Sequence, residues 1–291
     1  ILPLLDPHQP DSRGASYTRA HMPDHSTHAP RPQPVIRTLA PDQGLQWLAL
    51  AWRDIERAPL VGLAHGALLA AFGGLLLAVA HHRFWLLAGA FSGFLLVAPV
   101  LAVGLYAVSR ALERGEAVGF ALVLRTWLSW RGQPRHDWRL VKFGVLLALA
   151  GTGWVLTSAS LITLLAPQPV QTPMDFMRVV VMARDNRVFE LWLALGGVLA
   201  APVFASSVIT LPLLLDRRIG VLDAVLTSWR AVLANPVPLA LWAGLVMGFT
   251  LLGLASVLLG LVVVVPLLGH ASWHAYRDTV DASALPPRKD A

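Results

Sequence analysis

The sequence predicts an all-α, polytopic membrane helix bundle: six transmembrane helices arranged as three hairpins, each preceded by an amphipathic interfacial helix. Three observations carry this. Of 291 residues, 56% are hydrophobic and 14% charged, against roughly 25% charged in a soluble chain. Lipid must therefore cover surface that water cannot. Several apolar stretches reach the length a bilayer requires, about 20 residues. A Trp–Pro pattern recurs at the edges of those stretches.

The elements follow in order. Residues 1–40 read as a disordered N-terminal tail, because 23–41 are polar and proline-rich. Within it, residues 1–21 are expected to be non-native sequence upstream of a start at Met22. The membrane domain is expected over 41–280, with spans at about 60–80, 84–108, 140–166, 188–215, 237–254 and 256–276. The polar break His81-His82-Arg83 separates the first two. The last apolar block is about twice a span in length, so it is divided near 253–256. Residues 168–187 form the one sizeable loop on the far side, with a short amphipathic helix around Phe176, Val180 and Met182. Residues 281–291 are expected as a disordered C-terminal tail.

Orientation follows from the arginines. Lysine occurs only at 142 and 289, so the net charge of +6 is an arginine charge. Arg53, Arg57, Arg110, Arg114, Arg125, Arg131, Arg135, Arg139, Arg217, Arg218, Arg230 and Arg277 fall on one side of a six-span chain. Arg83, Arg178, Arg184 and Arg187 fall on the other. Both termini are therefore expected in the cytoplasm of a bacterium, with the chain in its inner membrane. A basic cytoplasmic edge suits anionic lipid. The arginines make no contiguous patch, so no nucleic-acid partner is expected. The chain has no cysteine, which excludes disulfides, iron–sulfur clusters and thiolate zinc sites.

The repeat is read from spacing. Trp52 precedes Pro59, Trp127 precedes Pro134 and Trp229 precedes Pro236, each by seven residues. Arg53 and Arg230 directly follow their tryptophans. Apolar residues upstream recur at helical spacing, as in Leu45, Leu48, Trp52 and Ile55, which places Trp at the headgroup level of an interfacial helix. The returning helices repeat as well. Val97-Ala98-Pro99-Val100 resembles Ala200-Ala201-Pro202-Val203, and Glu113-Arg114 and Asp216-Arg217 stand at equal distances from those prolines. Pro266 leads to Trp273 and Arg277 as Pro99 leads to Tyr106 and Arg110. Pro99, Pro202, Pro212 and Pro266 are expected to kink their helices, because proline lacks an N–H and clashes with the carbonyl four residues back.

Little in the sequence suggests chemistry. There is no phosphate-binding glycine loop, no HExxH and no Gly-x-Ser-x-Gly elbow, so no catalytic residue is assigned. No carboxylate falls in the middle of a span, which counts against ion coupling. Asp42, Asp54, Glu113 and Glu116 read as helix-start or solvated charges at the surface. His65 lies near the cytoplasmic end of the first span. His270 and His274 share one face of the last. If the first and last helices are neighbours, these three imidazoles are candidate metal or haem ligands; otherwise no cofactor is expected. Gly66, Ala70 and Gly74 form a small-residue face suited to close helix packing.

Four stretches carry a resemblance. They are Trp52-Arg53-Asp54 to Pro59; Val103-Gly104-Leu105-Tyr106 with Ser109-Arg110 after Pro99; Ser228-Trp229-Arg230 to Asn235-Pro236; and the ending Gly269-His270-Ala271-Ser272-Trp273-His274-Ala275-Tyr276-Arg277. Together they resemble a family of bacterial integral membrane proteins, the domain of unknown function twenty-one eighty-nine, over 39–280. Some members carry the label cytochrome c oxidase subunit I-like, which implies an association with respiratory complexes. The expected function is a non-enzymatic accessory, assembly or scaffold role beside a membrane-protein partner. The rival expectations are a small-solute transporter or channel, and a haem- or metal-binding membrane protein.

Overall fold

The computed structural model describes residues 33–80, 84–131, 137–183 and 186–288. The expectations for 1–32, His81, His82, Arg83, Pro134, Arg135 and Arg184 lie outside these residues. Helices dominate. α1 (Gln43–Arg57) leads into α2 (Pro59–Ala80), and α3 (Phe84–Leu101) continues after a one-residue break into α4 (Val103–Glu113). α5 (Phe120–Trp127) precedes α6 (Arg139–Leu165). A short α7 (Pro173–Asp175) runs into a π-helical turn, Phe176–Val181. α8 (Val188–Ser207) and α9 (Thr210–Asp216) follow, then α10 (Val221–Ala234), α11 (Pro236–Ala255) and α12 (Leu261–Thr279). Among the described residues, four stretches are long and apolar enough to cross a membrane: Pro59–Val79, Arg139–Leu165, Val188–Asp216 and Pro236–Ala255.

Two expected spans do not meet that standard. The stretch 84–108 is divided at Ala102 between α3 and α4. In 256–276 the helix begins only at Leu261, and its last turns carry His270, Ser272, His274 and Arg277. The break in the fourth span has a physical cause. Pro212 has no N–H and its ring crowds the carbonyl of Val208, and the chain leaves the helix at Val208 and Ile209. α8 runs through Pro202 and α12 through Pro266 without interruption, and Pro99 lies in the last turn of α3.

Helices α1, α5 and α10 bury one register. Counted back five residues from Trp52, Trp127 and Trp229, the residues are Trp47, Leu122 and Ala224. Counted back one, they are Ala51, Thr126 and Ser228. All six are buried, while Trp52 and Trp229 stay exposed. Their packing is cyclic: α5 lies on α4 and α10 on α8 and α9, the helices just before them in sequence, and α1 lies on α12, the last.

The described parts of the expected tails, 33–40 and 281–288, are ordered against the bundle. Val35–Ile36 (β1) pairs antiparallel with Val280–Asp281 (β2). Asn235 Oδ1 accepts from the Leu39 N–H at 2.8 Å, and Asn235 Nδ2 donates to the Arg37 carbonyl at 3.0 Å. On the other flank the Arg218 N–H donates to the Pro286 carbonyl and the Arg288 N–H to that of Asp216. These segments supply backbone hydrogen bonds and buried side chains such as Ala282 and Leu285. Composition alone, rich in Pro and polar residues, concealed that. In the far loop, Val180 packs with Ile162, Val170 and Val188, but Met182, expected on the same face, is exposed. The π turn, with five residues per hydrogen-bonded step, shifts the helical register.

A buried Asp–Ser–His chain where the first and last helices meet

α1 places its buried residues at 44, 47, 51, 54 and 55, a stripe of helical spacing that faces α12. Asp54 lies on that stripe beside Trp47 and Ala51, and it is buried. The expectation of a solvated surface charge is therefore corrected. A carboxylate there must be fully hydrogen-bonded to stay ionised. Ser109 Oγ–H donates to Asp54 Oδ2 at 2.7 Å, and His274 Nε2–H donates to the same oxygen at 2.9 Å. Burial by itself raises the Asp54 pKa; the hydrogen bonds from His274 and Ser109, with the charge of His274, outweigh it and hold the carboxyl below its usual range.

The chain continues inward. Ser109 Oγ spends its proton on Asp54, so His270 Nδ1–H must be the donor in its 2.7 Å contact with Ser109 Oγ. His65 Nδ1 lies 2.8 Å from the Val61 carbonyl, which only accepts, so that nitrogen too carries the proton. Both neutral rings then turn Nε2 inward as a bare acceptor. Among the described residues neither Nε2 has a hydrogen-bond partner. His65 also meets the Trp127 ring edge-on at a centroid separation of 5.4 Å.

The three candidate histidines thus do not form one ligand set. His274 is turned to Asp54, and among the described residues no group of three His, Cys, Asp or Glu stands ready to hold a metal. His65 and His270 stand on helices that pack along each other, α2 and α12. The glycine face that permits this is Gly62, Gly66 and Gly73, not Gly66, Ala70 and Gly74. A Cβ on Gly62 would stand 3.2 Å from Pro266 Cβ, one on Gly73 would stand 3.0 Å from Leu258 Cδ1, and one on Gly66 would collide with the Val262 carbonyl. Gly74 faces open space. Val262 is four residues before Pro266, which has no N–H to offer it. Gly66 therefore approaches a carbonyl that the proline has released, the setting of a Cα–H···O contact.

The rest of the closing motif is engaged in the same way. Trp273 Nε1–H donates to Glu113 Oε2 at 3.1 Å, and Arg277 reaches Glu113 Oε1 at 2.8 Å. Tyr276 Oη–H donates to Asp216 Oδ2 at 2.9 Å, and Arg217 and Arg114 complete that carboxylate's shell. The two acidic residues that recur after Pro99 and Pro202 thus receive neighbouring aromatic donors of α12. Gly269 is required because a Cβ would stand 2.5 Å from Leu105 Cδ1. Asp54, Ser109 and Trp47, whose Nε1–H donates to Asp278 at 2.8 Å, were missed from sequence. The 47–51–54 spacing was the available signal.

Residues 86–216 match the family model Predicted integral membrane protein (DUF2189). Over this stretch the chain is similar to that family. It is the family that the Trp–Pro and Gly-His motifs resemble, and the chain is an integral membrane protein with several apolar helices. The matched stretch contains Ser109, Glu113 and Asp216, the acceptors of the α12 motif, while Asp54 and the motif itself lie outside it. No curated protein and no solved structure matches the chain.

Proposed function

We propose that this is a non-enzymatic, six-span inner-membrane protein of three hairpins, with both termini cytoplasmic, serving as an accessory or scaffold subunit for a larger membrane complex. The observation that supports it is the equivalence of α1, α5 and α10. All three bury the same register against a returning helix and leave arginines outward: Arg53 and Arg57 on α1, Arg125 on α5, and Arg230 on α10. Such helices lie in the interface plane, with basic side chains toward anionic headgroups. On this reading α3–α4 and α12 cross the bilayer too. Their polar ends lie at the cytoplasmic surface, where the Glu113 and Asp216 networks hold them.

The same observation argues for holding over catalysis. The buried polar groups at the cytoplasmic end are engaged with one another across α1, α4, α9 and α12, and so fix helices relative to one another. The test is gentle purification from native membranes with mass spectrometry of whatever accompanies the protein. The expected result is a membrane-protein partner in near-stoichiometric amount, respiratory subunits being the first to look for. Recovery of the protein alone, still folded, would overturn the accessory role.

A further inference from the structure

We propose that α1, α5 and α10 act as a wedge inserted in the cytoplasmic leaflet, so that the protein collects where that leaflet is convex. The partner is the lipid surface. The proposal rests on the interfacial placement of these helices in the reading above, and not on the accessory role.

Each of the three helices carries a second apolar stripe. Counted back seven residues from Trp52, Trp127 and Trp229, the residues are Leu45, Phe120 and Leu222; counted back three, they are Ala49, Leu124 and Leu226. All six are exposed, Leu45 at 60%, Phe120 at 57% and Leu222 at 70%. At 3.6 residues per turn this stripe lies about 150° around the helix from the buried one. In α10 it continues to the exposed Leu233, and in α1 it closes at Glu56.

Two flanks join the stripes. One is apolar: counted back four residues from each Trp, it holds Leu48, Val123 and Val225, all packed on the core. The other carries Arg53 and Arg57, Arg125, and Arg230, on the same side in all three helices. A helix with one basic flank and apolar surface around the rest suits the headgroup level, its arginines toward anionic phosphates and its outward stripe among acyl chains. The chain sets that level. α1 ends at Arg57 just before the span that starts at Pro59, and α10 ends at Ala234 just before the span that starts at Pro236. Lipid chains are therefore the occupant of the outward stripes.

The stripes determine shape. A helix with its side chains is about 10 Å across, so three of them broaden the protein in one leaflet. The far loop offers the short α7 and its π turn, packed over the ends of α6 and α8. A body broader in the cytoplasmic leaflet fits best where convex curvature opens that leaflet's packing.

The test uses the full chain in giant vesicles of phosphatidylcholine with phosphatidylglycerol. The chain has no native cysteine, so Ser283→Cys labelled from outside with an impermeant thiol dye reveals only molecules whose cytoplasmic side faces out. Narrow tubes drawn from the vesicles make that leaflet convex. Dye density relative to lipid is expected to be about twofold higher in the tube than in the vesicle. Phe120→Ser with Leu124→Ser, or Leu222→Ser with Leu226→Ser, should each lower the ratio, and all four together should remove most of the sorting. Circular dichroism and elution volume identify any variant that fails to fold, and the pairs are made separately so that either carries the comparison. Equal density of folded wild-type protein in tube and vesicle, or undiminished sorting of a folded stripe variant, would overturn the wedge. A bimane on Leu226→Cys tells the wedge from its premise. Quenching by lipids brominated high on the acyl chain, without sorting, overturns the wedge alone. A bimane insensitive to those lipids overturns the interfacial placement with it.

Discussion

Asp54 keeps its charge where water hardly reaches because two donors converge on one of its oxygens. Its folded pKa is depressed, so the sign of its contribution is fixed. The stabilisation is fully present above the unfolded value, about pH 4, and is lost as pH falls through the lower folded pKa. Thermal unfolding in detergent should therefore weaken on acidification below about pH 4. Asp54→Asn should cost about 1–3 kcal/mol, because Ser109 and His274 lose a charged acceptor, and it should flatten that acid limb. An Asp54→Asn variant with wild-type stability and an unchanged acid limb would refute this role. At this scale the sequence was only half legible. The histidines stood out as rare polar residues in apolar segments. Asp54 did not, because a carboxylate near a helix end usually faces water, and only its membership of the Trp47–Ala51 stripe reveals its burial.

Between elements, the α2–α12 seam depends on glycine. Gly66→Ala should destabilise the protein by about 1–3 kcal/mol, the cost of overpacking, since the new Cβ meets the Val262 backbone. Gly74→Ala, one face away with open space beside it, should be neutral or stabilising by up to about 1 kcal/mol, as alanine replaces glycine inside a helix. Thermal melts of the pair check this, and equal responses would remove the seam from the account. Small-residue spacing was readable in the sequence. Which of two interleaved glycine faces meets α12 was not, because a run with glycines at 62, 66, 73 and 74 offers both. The decisive term is Pro266, which frees the carbonyl that Gly66 approaches. The ordered segments at 33–40 and 280–288 were hidden for a different reason. Their order comes from tertiary hydrogen bonds to Asn235, Asp216 and Arg218, and local composition carries no trace of those.

Over the whole molecule, the helical character and the apolar segments were legible because hydrophobic length is a strong signal. The Trp–Pro repeat was legible because its spacing is exact in residues; Trp52, Trp127 and Trp229 mark helices that bury the same positions. The cyclic order, with α1 resting on α12, needed the structure. It explains why the Gly-His ending answers to Asp54 near the start of the chain. In the proposed arrangement three equivalent units cross the membrane twice each, with their interfacial helices on the cytoplasmic side. The absence of native cysteine gives a clean test by single-cysteine labelling with a membrane-impermeant thiol reagent in intact cells. Gln171→Cys and Leu259→Cys, in the far loop and the α11–α12 turn, should label from outside. Arg57→Cys and Ser283→Cys should label only after permeabilisation. Leu259→Cys protected in intact cells, or Ser283→Cys labelled in them, would mean that α11 and α12 do not form a hairpin across the bilayer and would contradict the three-unit account.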